Sequence, residues 1–69
     1  MKVSARNQFS GTVKSIVKGP VSTEVIVTIA QGIDIVSVIS TASANSLGLA
    51  TGKPAQVLIK ASSVIVGVD

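Results

Sequence analysis

An all-β fold is the class this sequence predicts, and three observations predict it. Val and Ile together supply 20 of the 69 residues, and side chains branched at Cβ fit a pleated sheet better than a helix. Several stretches alternate apolar and polar residues with period two, which turns one face of a strand toward a core. Between them stand Lys18-Gly19-Pro20, Gln31-Gly32 and Gly52-Lys53-Pro54, each a turn signal.

The first strand is expected from Gln8 to Lys18. Phe9 and Val13 share its core face, and Ile16 falls out of phase with them, so a bulge or bend belongs near Lys14 and Ser15. From Val21 to Ile29, Val21, Thr23, Val25, Val27 and Ile29 occupy one face, with Ser22, Glu24 and Thr28 opposite. Gln31-Gly32 makes a tight connection into Ile33–Ser40. That strand is apolar on both faces, with Ile33, Ile35 and Ile39 on one and Val36 and Val38 on the other. So short a chain covers only one of them, which implies a subunit contact on the other. Residues 40–50, STASANSLGLA, replace β-branched residues with Ala, Ser, Asn and Leu, and a short helix fits better. Ser40 or Thr41 serves as its N-cap, Leu47 points to the core and Gly48 takes the left-handed position after the helix. Ala55–Lys60, with Val57 and Ile59 inward, and Val64–Val68 complete the set. Five strands with one short helix after the third describe a small OB-like β-barrel.

Composition narrows the function. A single domain of 69 residues buries only a modest core, so disulfides, a metal or partner subunits are usually needed. Cys and His are absent, which removes disulfides, soft-metal sites, cysteine nucleophiles and histidine bases. Glu24, Asp34 and Asp69 are the only acids, too few and scattered for a hard-cation cage or a carboxylate pair. Oligomerisation is left as the source of extra burial. A net charge of +3 suits an anionic partner, and with 13% charged residues a compact one. No apolar run is long enough for a membrane helix and no signal-peptide pattern is present, so a cytoplasmic protein without a membrane partner is expected.

The helix start exposes backbone N–H groups under partial positive charge, and Ser40, Thr41 and Ser43 add hydroxyls there. Ordinary capping with Ser43 facing solvent is the alternative. Arg6 lies beside Ser4, and Lys60 beside Ser62 and Ser63, at the end of an expected strand. Singly, each cation reads as a solvated surface group. Together with the helix start they form a set made only of donors. Such a set prefers a fully ionised tetrahedral oxyanion, because monohydrogen phosphate carries a proton that needs an acceptor.

Three other readings weigh less. GLATGKP, residues 48–54, has three residues between its glycines where a phosphate loop has four, and Pro54 stands where Ser or Thr would hold magnesium. A β-turn is expected instead. A Ser–Lys dyad at Lys60 lacks any sign of an oxyanion hole, so no enzymatic activity is expected. A single-stranded nucleic-acid module is the main alternative for an OB-like barrel, but Phe9 is the lone aromatic and is expected in the core.

SARNQFSGTV at 4–13, VISTASANSLGL at 38–49 and VLIKASSV at 57–64 together resemble the molbindin (Mop-domain) family of small molybdate- and tungstate-binding proteins, across essentially the whole chain. The resemblance implies a single Mop domain over residues 1–69. It implies a hexamer, as a trimer of dimers, that stores or buffers molybdate or tungstate between subunits, without catalysis or an organic cofactor. Carried onto this chain, the main oxyanion site would use Ser4, Arg6, Ser40, Ser43, Lys60, Ala61 and Ser62. A second site near a threefold axis would use Gly19 and Ser22. Pro20 has no amide hydrogen to give it, and the helix lacks the acidic residues common in the family.

Overall fold

The computed structural model describes residues 1–69. Its four strands are β1 (Asn7–Lys18), β2 (Ser22–Ala30), β3 (Ile33–Ser40) and β4 (Pro54–Ile59). They form one antiparallel sheet in the order β3-β2-β1-β4. A short helix, α1 (Thr41–Ser46), follows β3, and a 3-10 turn (Ala61–Ser63) follows β4. The alternation in β2 holds from Ser22 to Val27, where Thr23, Val25 and Val27 are buried while Ser22 and Glu24 face solvent, but Val21, expected on the buried face, precedes the strand and is 75% exposed. Val13 of β1 joins Val25 and Val27 as the core, with Ile16, Ile39, Leu49 and Val57 packed against it. A fully buried valine contributes roughly 1.5–3 kcal/mol, so three of them make a thin core.

The bulge is where the phase change puts it, between Val13 and Ser15 in the pairing of β1 with β2. It turns Ile16 inward. At Gly11 a Cβ would collide with the carbonyl oxygen of Thr28 and lie 2.9 Å from a methyl of Val27, so β1 passes β2 too closely for a side chain. Gly32 and Gly52 adopt φ of +76° and +88° in their turns. Residues 48–54 are a turn, as expected, and no phosphate loop. Gly52 N donates to Val13 O and Val13 N to Lys53 O, which ties the turn to β1.

Ser40 caps α1, its Oγ accepting from Ser43 N at 3.0 Å, and Gly48 takes the left-handed conformation with φ +63°. Leu47 does not reach the core. It is 70% exposed, and Ala44 is buried in its place. The cap at Ser40 phases the six-residue helix so that Ala44 meets the sheet, and Leu47 falls at its C-cap. Phe9, expected in the core, is 39% exposed. It pairs with Val57 at the end of the sheet where α1, which packs on β2 and β3, gives no cover.

The fifth strand over Val64–Val68 does not form. The segment is irregular and exposed, so the sheet is open where a closed five-stranded barrel was expected. Alternation tells which side chains favour burial, but a strand also needs an edge to supply its hydrogen bonds. None is paired with this segment in the chain.

Candidate functional site

β1 and β4 run antiparallel, and Asn7 opposite Ile59 is their last pair. The residues before Asn7 and after Ile59 therefore meet. Asn7 Nδ2 donates to Ile59 O at 3.2 Å, and Gln8 Nε2 donates to Ala5 O, which holds the approach to β1 in place. Between the two segments lies a cleft of about 450 Å³ walled by Ser4, Arg6, Lys60, Ala61 and Ser62, with Ala5 and Leu58 completing it. Five of the seven residues expected in the main site thus share one cleft, although they come from opposite ends of the chain.

The chemistry of that cleft is one-sided. Arg6 and Lys60 supply two cations, and no acidic residue lines it. The chain's ion pair lies elsewhere, between Lys14 and Asp34 at 2.8 Å. Lys60 precedes the 3-10 turn, whose own bonds run from Ser63 N to Lys60 O and from Val64 N to Ala61 O. Those bonds leave the N–H groups of Ala61 and Ser62 free to donate to a ligand, as at any helix start. The side chains that reach the cleft can neutralise and donate to a doubly negative anion.

Ser40 and Ser43 do not line this cleft. They stand at the start of α1, where Ser40 Oγ donates to Ser43 Oγ at 2.8 Å. With Gly19 and Ser22 they form a second group: Ser40 pairs with Ser22 across the sheet, and Gly19 N donates to Ser22 O at 2.9 Å. Thr41 binds the group together. Its N–H donates to Val21 O and its hydroxyl to Gly19 O at 2.7 Å. That hydroxyl has spent its one hydrogen, so buried Thr23 must be the donor in the 2.8 Å contact between Thr23 and Thr41. Lys18 Nζ reaches Asn45 Oδ1 at 3.0 Å and brings a cation to this end. The composition of the helix carries no sign of the Thr41 and Lys18 contacts; only the strand register places them. The two groups sit at opposite ends of the 12-residue β1, roughly 35 Å apart at 3.3 Å per residue. One chain does not bring them together.

Comparison with known proteins locates this arrangement. A family model described as TOBE domain matches residues 3–66. The molybdenum transport protein ModE of Herbaspirillum seropedicae is 49% identical over 69 residues, and this chain spans all of its own length but 26% of that protein's. A probable molybdenum-pterin-binding protein of Haemophilus influenzae is 46% identical over 69 residues, with both chains fully covered. Among solved structures, the cytoplasmic molybdate-binding protein ModG with molybdate bound superposes with a TM-score of 0.94 at 42% identity, covering all of this chain and 49% of that one.

Proposed function

This chain belongs to the TOBE-domain family in its molbindin, or Mop-type, form, and from that premise we propose that it binds molybdate or tungstate for storage or buffering in the cytoplasm. Residues 1–69 act as a single Mop domain in a homo-oligomer, a hexamer built as a trimer of dimers, with no catalysis, organic cofactor, nucleic acid or membrane partner. The observation that carries this reading is the donor-only cleft, in which Arg6 and Lys60 meet with the hydroxyls of Ser4 and Ser62. Two positive charges balance a doubly negative tetrahedron. Hydroxyls and free N–H groups satisfy its oxygens, and the lining holds no carboxylate to receive the proton of monohydrogen phosphate.

The remaining donors come from a neighbouring copy. Ser40 and Ser43 of one chain close over the cleft of the next, which excludes water and strengthens each charge-assisted bond. Gly19 and Ser22 form the second oxyanion site where copies meet. The outer face of β3 supplies contact between copies, since Val36 and Val38 are exposed at 60% and 68% and apolar area of that kind favours association.

Calorimetric titration with molybdate, tungstate, sulfate and phosphate, read beside native mass spectra, tests the proposal. Saturable molybdate and tungstate binding to an oligomer, with phosphate much weaker, is expected. A monomer, or phosphate bound as tightly as molybdate, overturns it.

A further inference from the structure

The ladder between β1 and β4 ends at Asn7 opposite Ile59, and the segments that wall the oxyanion cleft lie just past that pair. Arg6 adjoins Asn7 and Lys60 adjoins Ile59, so the two cations stand where regular pairing no longer sets their spacing. Two side-chain amides take over. Half-buried Asn7 sends Nδ2 across to Ile59 O at 3.2 Å, joining residues 52 apart in the chain. Exposed Gln8 folds its Nε2 back to Ala5 O at 2.6 Å. Both acceptors border the cations, since Ala5 lies between Ser4 and Arg6 in the lining and Ile59 immediately precedes Lys60. A hydroxyl rotates to donate, but a carbonyl oxygen only accepts. A free carbonyl beside the cleft repels a bare oxyanion and favours one that carries a proton.

We infer that Asn7 and Gln8 are positioning residues of the oxyanion cleft: their amides fix the spacing of Arg6 and Lys60 and occupy the carbonyls of Ile59 and Ala5, which favours an anion without a proton over one that carries it. The inference rests on the oxyanion reading, and neither residue lines the cleft. Each amide has its own task. Asn7 ties one wall of the cleft to the other, and Gln8 bends the Ser4–Arg6 wall onto β1. Without the Asn7 bond the walls part, so an anion must order the two cations as it binds, which costs affinity. Without the Gln8 bond the Ala5 carbonyl is released at the lining, where it receives the proton of monohydrogen phosphate.

Asn7→Leu and Gln8→Met keep the size of each side chain and remove its donor. Calorimetry of the full chain with molybdate, with monohydrogen phosphate as competitor in mildly alkaline buffer, reads both effects, and native mass spectra report whether each variant assembles as the wild type does. Asn7→Leu is expected to weaken molybdate binding about tenfold and Gln8→Met by a smaller factor, and in both the preference for molybdate over phosphate falls. Thr28→Val, which deletes a hydrogen bond to Asp34 outside the cleft, is expected to change neither quantity. A role in stability alone lowers the melting temperature and leaves the preference at its wild-type ratio, which overturns the inference, as does wild-type affinity in both variants. Should Asn7→Leu fail to assemble, Gln8→Met decides, because its exposed bond reaches back only three residues. A wild-type chain that binds no molybdate overturns the oxyanion reading and this inference together, whereas tight wild-type binding with unaltered variants overturns this inference alone.

Discussion

Arg6 and Lys60 are surface cations in the sequence and cleft partners in the fold. Neither has a carboxylate to neutralise it, so an anion that reaches both does so without displacing an existing ion pair. Arg6→Ala or Lys60→Ala should each weaken molybdate binding by about 3–5 kcal/mol, the cost of leaving part of an enclosed double charge uncompensated. Titration calorimetry measures it, and unchanged affinity in both variants would remove the cleft from the mechanism. Asp34 behaves differently. The hydrogen bond from Lys14, then that from Thr28, hold its carboxyl below the ordinary value of 3.8. With the folded pKa depressed, the unfolded chain binds more protons over the window below that value, so stability rises with pH there. The contribution is present at neutral pH and is lost as acid protonates the folded carboxyl. Asp34→Asn should flatten the acid limb of a plot of melting temperature against pH, and an unchanged limb would show that the pair does not contribute.

Strand pairing places the donors. β1 carries one group at each end, and its pairing with β4 is what joins SARN to IKASS. Gly11 permits the close passage against β2, so Gly11→Ala should destabilise the fold by about 1–3 kcal/mol, the usual cost of forcing atoms into packed structure. Urea denaturation reads that loss directly, and an equal midpoint would mean that Thr28 moves aside freely. The bulge after Val13 was legible because it changes the phase of the apolar pattern within a few residues. The helix was legible through its cap and Gly48, yet its inward residue was not. Leu47 is the larger apolar side chain, but the cap geometry turns Ala44 inward, and a small residue lets the helix lie close on β2 and β3.

Only five of the 69 residues are buried in the lone chain, too few for a domain to stand easily without further cover. Val36, Val38, Ile65 and Val66 are exposed, apolar area of the kind that favours association. The donor groups at opposite ends of β1 have the same implication, because a site using both needs two copies. Mixing supplies the test. Arg6→Ala chains and Ser43→Ala chains, each weak alone, should regain some tight molybdate sites when co-assembled, since a wild-type cleft then meets a wild-type helix start. No recovery in mixtures confirmed by native mass spectrometry would place both groups in one chain's site or outside it.

Local periodicity determined the strand positions through Ile59, the bulge, the helix and the two-sided stickiness of β3. Composition determined that any ligand site would be rich in donors and poor in acceptors. These properties are readable because they arise within a window of neighbouring residues. Tertiary structure decided that Ser4, Arg6, Lys60, Ala61 and Ser62 share a cleft, that Ser40 and Ser43 lie beyond its reach in one chain, and that Val64–Val68 finds no strand partner there. Those outcomes depend on register and on which edge is free, and a backbone edge carries no mark in the side chains that spell the sequence.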